Sequence, residues 1–200
     1  LIDTDGKGVE RITETGVVAA GEHYELDCLI YASGFEVGTD YTRRAGFDLT
    51  GREGLKLSTK WADGMTSLHG IHVHGFPNAF IVGFSQAANL ISNIPHNFTD
   101  AAKTIATVIS RTLETGADTV EVTAEAEAAW VARLEAGGRT FGGAADCTPG
   151  YYNNEGQPLS PAALRNSVGY PDGPVAYFDY IEGWRNAGEH AGLEFCTGGD

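Results

Sequence analysis

Between residues 9 and 31 the apolar positions come in short runs broken at Gly16 and Gly21. This pattern predicts strands separated by turns. Asp5-Gly6-Lys7-Gly8 ahead of them has turn chemistry, because glycine tolerates positive φ. Tyr24-Glu25-Leu26 alternates, and residues 26–32 are then almost continuously apolar. That change predicts a strand buried on both faces, as in a parallel sheet. Residues 46–75 are rich in glycine. There Phe47 and Leu49 lead into Thr50-Gly51-Arg52-Glu53-Gly54, and Leu55 and Leu57 alternate with polar neighbours. A hairpin is expected. Ala79-Phe80-Ile81-Val82, ended by Gly83, is a second candidate for a buried strand.

The period changes near Ile94. Ile94, Phe98, Ala101, Ile105, Val108, Ile109 and Leu113 recur at spacings that give a helix one apolar face, with Gly116 as its stop. Thr123 is placed to cap a second helix, with Glu125 and Glu127 near its positive pole and Gly137-Gly138 beyond Leu134. Ser160-Pro161 predicts a short helix with proline in its first turn. Gly173-Pro174 predicts another, through Tyr177, Ile181 and Trp184. Residues 138–174 hold many Gly, Pro, Asn and Tyr and read as an irregular wrap. No internal repeat or low-complexity segment is visible.

Length and hydrophobic content, 200 residues and 42%, describe a globular chain. Lys and Arg number 13 against 27 Asp and Glu, a net charge of −14. That sign opposes a nucleic-acid partner, which needs a basic face. It leaves a buried nucleotide cofactor open, because backbone N–H groups can hold its phosphates. Cys28, Cys147 and Cys196 give no disulfide framework, and no apolar run approaches the ~20 residues of a membrane span. A reducing, cytoplasmic setting is the expectation, with no membrane partner. The chain starts at Leu1 and its sole Met is Met65, which predicts a piece of a longer polypeptide.

Candidate chemistry is sparse. In residues 78–98 an apolar strand breaks at Gly83 into Ser85, Gln86, Asn89, Ser92 and Asn93 before the helix begins. So polar a turn between two apolar segments reads as ligand-facing. His69, His72 and His74 could share a metal if extended, but no Cys, Asp or Glu completes a known spacing, so histidines that pack in a loop are favoured. There is no phosphate loop, no G-x-G-x-x-G and no G-x-S-x-G. The acidic residues of 121–127 read as a solvated helix face.

Three motifs recur together in one family. Leu29-Ile30-Tyr31-Ala32-Ser33-Gly34-Phe35 resembles the end-of-strand motif of flavoproteins with two dinucleotide-binding domains. Gly75-Phe76-Pro77-Asn78-Ala79-Phe80 resembles a strand of flavin monooxygenases. Lys60-Trp61-Ala62-Asp63-Gly64 looks like the Trp-containing segment that precedes that strand in Baeyer–Villiger monooxygenases. Residues 147–156 and Trp184-Arg185 continue the likeness, which covers essentially the whole chain.

The resemblance implies an α/β fold, the C-terminal part of a two-dinucleotide-binding-domain flavoprotein. Residues 1–35 would return from the NADPH domain and 36–75 would be a turn-rich hairpin segment. Residues 76–136 would hold the last strand and helices of the FAD domain, and 137–200 a C-terminal wrap and helix. The whole protein would use FAD and NADP to insert one oxygen atom of O2 into a ketone, through a flavin C4a-peroxide. Oxidation of N or S in a soft nucleophile is the alternative, and a non-catalytic binding module a further one. By position, Trp61 matches a residue contacting the nicotinamide-side ribose, and Ser92, Asn93 and Ile94 the turn against the flavin. Ser33 and Gly34 match the first cofactor-binding motif, and Asn89, Leu90 and Ile91 the substrate pocket. Ser33 stands where Thr is usual, and Ile94 where Met often is. The catalytic arginine and both glycine-rich loops would lie in a missing N-terminal part, leaving no catalytic residue in this chain and the chain alone inactive.

Overall fold

The computed structural model describes residues 1–32, 41–83, 85–88, 92–137, 139–140 and 160–198. In chain order the elements are β1 (Arg11–Thr13), β2 (Gly16–Ala19), β3 (Glu22–Glu25), α1 (Tyr41–Ala45), α2 (Leu57–Lys60), α3 (Ile94–Thr115), β4 (Thr119–Val122), α4 (Ala124–Gly137), β5 (Arg139–Thr140), α5 (Pro161–Ser167), β6 (Val168–Gly169), α6 (Pro174–Ala187) and β7 (Leu193–Cys196). The strands form three small antiparallel sheets, β1-β2-β3, β4-β7 and β5-β6.

The predicted early strands form as a meander in which Val17 faces Ile12 on one side and Tyr24 on the other. The run after it departs from expectation. Leu26 closes the meander through its N–H to Thr15 O, and the residues that follow form no strand. Ile30 and Tyr31 are 82% and 75% exposed. A strand takes its backbone hydrogen bonds from its neighbours, and no described segment pairs with this one. Residues 79–83 fail in the same way. Ile81 N–H reaches Ile71 O at 2.8 Å, but no ladder forms and Val82 is 56% exposed. Ser33 and Gly34, with the rest of 33–40, lie outside the described residues, as do most of the wrap (141–159), Cys147 and the motif at 147–156.

The expected hairpin in 46–75 shrinks to isolated bridges, Thr50 to Lys56 around a single 3-10 turn at Arg52–Gly54, and Leu68 to His72 further on. Leu57 then opens α2 where a second strand was expected. Leu57 and Trp61 are four apart, a helical spacing, and both join a small cluster with Val73 and Phe76.

The main core joins α4, α6, β4 and β6. Trp130 and Leu134 of α4 meet Tyr177, Ile181 and Trp184 of α6, with Val120, Val122, Val168, Leu68 and Val108 around them. The predicted caps hold. Thr123 Oγ1 accepts from Ala126 N–H at 3.1 Å, Ser160 Oγ accepts from Ala163 N–H at 3.1 Å, and Gly173-Pro174 opens α6. Gly116 ends α3 at φ 66°, a backbone conformation that costs glycine least.

α3 forms where predicted but sits rotated from its apolar stripe. Its buried face is Asn97, Asp100, Ala101, Thr104 and Val108, while Ile94, Phe98, Ile109 and Leu113 are exposed. A cross-helix bond sets the seating. Arg185 of α6 donates to Asp100 Oδ1 at 2.9 Å and to Thr104 Oγ1 at 2.9 Å, and both α3 groups are buried. Turning the stripe inward would break this charge-assisted pair and leave a buried carboxylate alone, a cost of about 3–5 kcal/mol.

His69 and His72 belong to the core. His69 lies edge-on to Trp130 and Trp184, with ring centroids 4.8 and 4.9 Å away, and its Nε2 is 3.2 Å from Tyr180 Oη. Burial lowers the pKa of both histidines, that of His72 to about 4, helped there by His190. The unfolded chain therefore binds more protons than the folded one below pH 6.5. Stability is full above that pH and falls as pH drops toward 4, by on the order of 3 kcal/mol for His72. His72→Leu should flatten the fall in melting temperature between about pH 7 and about pH 4.5. An unchanged slope would show that His72 carries no such linkage.

Candidate functional site

The polar break after Gly83 resolves into two kinds of residue. Gln86 is fully buried at φ 56°. Its Oε1 accepts from Ser67 Oγ at 2.6 Å and its Nε2 donates to Met65 O at 2.6 Å. Its N–H bonds Val168 O at 3.1 Å, and its carbonyl accepts from Trp130 Nε1 at 3.1 Å. It pins the turn to the 65–70 loop, β6 and α4 together. Nothing in the sequence marks this glutamine out beyond its place in an apolar setting.

The second kind lies at the start of α3. Asn93 Oδ1 accepts from His96 N–H at 3.1 Å, capping the helix. Asn97, buried one turn on, donates through Nδ2 to Ser92 Oγ at 2.7 Å and so ties the turn to the helix. The first turn carries no acidic residue, and Asn93 and Ile94 are exposed. A helix of this length presents roughly half a unit of positive charge at that end. No side-chain acid offsets it in the first turn.

Trp61 follows α2 directly and is half-buried. Its indole Nε1 donates to Thr66 O at 3.0 Å and its ring meets Tyr41 edge-on at 5.8 Å. The donor is thus committed within the protein, and the ring is what Trp61 can offer a ligand. Asn89, Leu90 and Ile91 lie outside the described residues. Neither Trp61 nor the turn of 92–94 lines the cleft of about 730 Å³, whose walls include Arg52, Lys56, Lys60, His74, Glu121 and Glu194.

Of the acids of 121–127 expected on a solvated face, Glu125 is exposed, but Glu121 and Glu127 are bonded inside the protein. Glu121 Oε2 pairs with Arg52 at 2.7 Å and its Oε1 accepts from Gly75 N–H at 2.6 Å. Glu127 is buried; its Oε2 pairs with Lys60 at 2.8 Å and its Oε1 accepts from His74 N–H at 2.9 Å. Gly51 is needed beside them, since a Cβ there would stand 2.1 Å from Gly75 O. The sequence hides this brace because its partners are 46 to 69 residues apart. The histidines do not converge on a metal: His74 Nδ1 donates to Val122 O at 2.9 Å while His69 and His72 face the core. No group of three His, Cys, Asp or Glu among the described residues could hold one. No described helix is long and apolar enough to cross a membrane.

No family model matches the chain. Its sequence is 42% identical over 99% of its length to neopentalenolactone D synthase of Streptomyces avermitilis, and 39% identical over 94% to Baeyer-Villiger monooxygenase 4 of Dietzia sp. strain D5. It spans 33% and 30% of those proteins, about a third of their length. Its fold superposes with TM-score 0.82 and 32% identity on a polycyclic ketone monooxygenase from the fungus Thermothelomyces thermophila, covering 98% of this chain and 32% of that one. An oxidised steroid monooxygenase bound to NADP shares the fold at TM-score 0.76 and 24% identity, covering 98% of this chain and 35% of that one. Over nearly its whole length, the chain is similar to the C-terminal part of Baeyer–Villiger monooxygenases.

The cap at Asn93 can be tested directly. Asn93→Ala should cost about 1 kcal/mol in denaturant unfolding and Asn93→Asp far less, because aspartate keeps the acceptor. Equal losses for the two would show that the side chain does not cap α3.

Proposed function

We propose that this chain is one wall of the cofactor site in an FAD- and NADPH-dependent monooxygenase that converts ketones to esters or lactones. The observation that carries the reading is the first turn of α3. It is exposed, capped by Asn93, tied to Ser92 through Asn97 and free of acidic residues. Negative charge developing on the edge of a reduced flavin ring would meet fixed N–H dipoles there, with no reorganisation needed. Ser92 and Asn93 offer polar groups and Ile94 an apolar side chain, a mixture that suits a flat heteroaromatic ring with a polar edge. Bound FAD, once reduced by NADPH, would supply the oxygen-activating chemistry.

The chain's own part is to bind, orient and exclude water. Trp61 offers a ring, not a donor, to the nicotinamide-side ribose. Asn89, Leu90 and Ile91 are assigned to the substrate pocket, and Ser33 and Gly34 to the cofactor, by sequence position. We assign residues 76–136 to the FAD domain, 1–35 to the return from the NADPH domain, 36–75 to the segment between, and 137–200 to the wrap. The remaining polypeptide of the same protein is the partner this wall requires. The ketone substrate is favoured by the name of the polycyclic ketone monooxygenase that shares the fold. A cytoplasmic setting accords with exposed free thiols at Cys28 and Cys196.

The full-length protein should purify with FAD and oxidise NADPH faster when a ketone is present, giving a product one oxygen atom heavier. Trp61→Ala should raise KM for NADPH several-fold, with flavin content unchanged. Absence of flavin, or NADPH oxidation indifferent to every ketone tried, would overturn the reading. Oxidation of sulfides or amines alone would move it to the heteroatom class.

A further inference from the structure

We infer that Glu127 is a positioning residue for the nicotinamide side of the site, acting through Lys60 on Trp61. The inference rests on the proposed role of Trp61. Trp61 is the residue after α2, and its described hydrogen bonds, N–H to Leu57 O, Nε1 to Thr66 O and carbonyl from Gly64 N–H, all stay within its own segment. Its place relative to the rest of the protein therefore depends on what holds that segment. Two carboxylates hold it beside the grips of Gln86, Arg165 and Asn166 on residues 63–67, one on β4 and one in the first turn of α4. Glu121 holds Arg52 and the N–H of Gly75, near the start and the end of the segment. Glu127 holds Lys60, covalently adjacent to Trp61, and the N–H of His74.

The two grips differ in strength. The Arg52 side chain is 44% exposed, so water and salt screen its pair with Glu121. Lys60 and Glu127 are 16% and 9% exposed, and each has given up most of its hydration for the other. Removing either charge leaves its partner buried and uncompensated, which expels that group toward solvent and moves the backbone attached to it. For Lys60 the attached backbone is the α2–Trp61 junction. An apolar pair of equal volume would pack here at similar stability. The charged pair adds a defined distance and direction, and Trp61 inherits them.

The test uses the full-length holoenzyme. Glu127→Gln keeps the size and an acceptor for His74 N–H but removes the charge, and Lys60→Met keeps the length. Each should raise KM for NADPH about tenfold with kcat little changed, since misplacing a binding group by about 1 Å costs up to about 10²-fold. Lys60→Arg preserves the pair and should keep the wild-type KM. A folded Glu127→Gln enzyme with a lower melting temperature but wild-type KM for NADPH would overturn the inference, because the pair would then only stabilise the fold. If Glu127→Gln does not fold, the contrast between Lys60→Met and Lys60→Arg decides the matter: equal KM values overturn it. Trp61→Ala separates this failure from failure of the underlying reading. If Trp61→Ala leaves KM for NADPH unchanged, the role of Trp61 falls and the inference with it. If Trp61→Ala raises KM and Glu127→Gln does not, only the inference falls.

Discussion

The packing of Trp130 is the constraint from which the rest of this structure follows. Its ring stacks on Tyr170 and Tyr180 at 5.7 and 5.5 Å and takes His69 edge-on, while its Nε1 donates to Gln86 O. One side chain on α4 thus joins the stretch after β6, helix α6, the histidine loop and the polar turn that leads to α3. Replacing such a residue by alanine removes on the order of 3–5 kcal/mol. The buried hydrogen bonds of Gln86 are then left without the surface that keeps water from them. The turn at Gln86 is therefore set from below by an aromatic core that itself touches no proposed ligand.

What the core does not satisfy is equally informative. Ile30, Tyr31, Val82, Phe98 and Leu113 are exposed although their sequence patterns are those of buried elements. Scattered exposed apolar residues need no explanation, but residues 26–32 form an almost continuous apolar run with no described pairing strand. The relatives are about three times as long as this chain. The outward apolar stripe of α3 and the unpaired run at residues 26–32 are apolar surfaces that the described core leaves uncovered. In the acidic brace, by contrast, both partners of each described pair lie within this chain.

Much of the helical structure was legible because caps and stops are local. Asn93, Thr123, Ser160, Gly116 and Gly173-Pro174 act within a few residues of themselves, so their roles can be read from the string. The strands expected at 26–32 and 79–83 do not form among the described residues because a strand is defined by its neighbours, and none pairs with them here. The rotation of α3 was hidden for a related reason: its seating depends on Arg185, 85 residues from Asp100. Of the candidate site, Trp61 and the 92–94 turn are proposed from resemblance. Gln86, Asn97, Glu121 and Glu127, whose hydrogen bonds reach the segments around those residues, carry no sequence signature beyond polarity. Glu121 and Glu127 were misassigned because a carboxylate next to a helix start is more often solvated than bonded to a distant backbone.

The central claim is that residues 26–32 and the entrance of α3 are internal surfaces of a flavin-binding fold. Hydrogen–deuterium exchange on the full-length protein, with and without FAD, tests it most directly. The account predicts slow exchange at residues 26–32 in both states, as in a paired strand, and added protection at residues 92–96 when FAD is bound. Fast exchange at residues 26–32 together with FAD-independent exchange at residues 92–96 would contradict it.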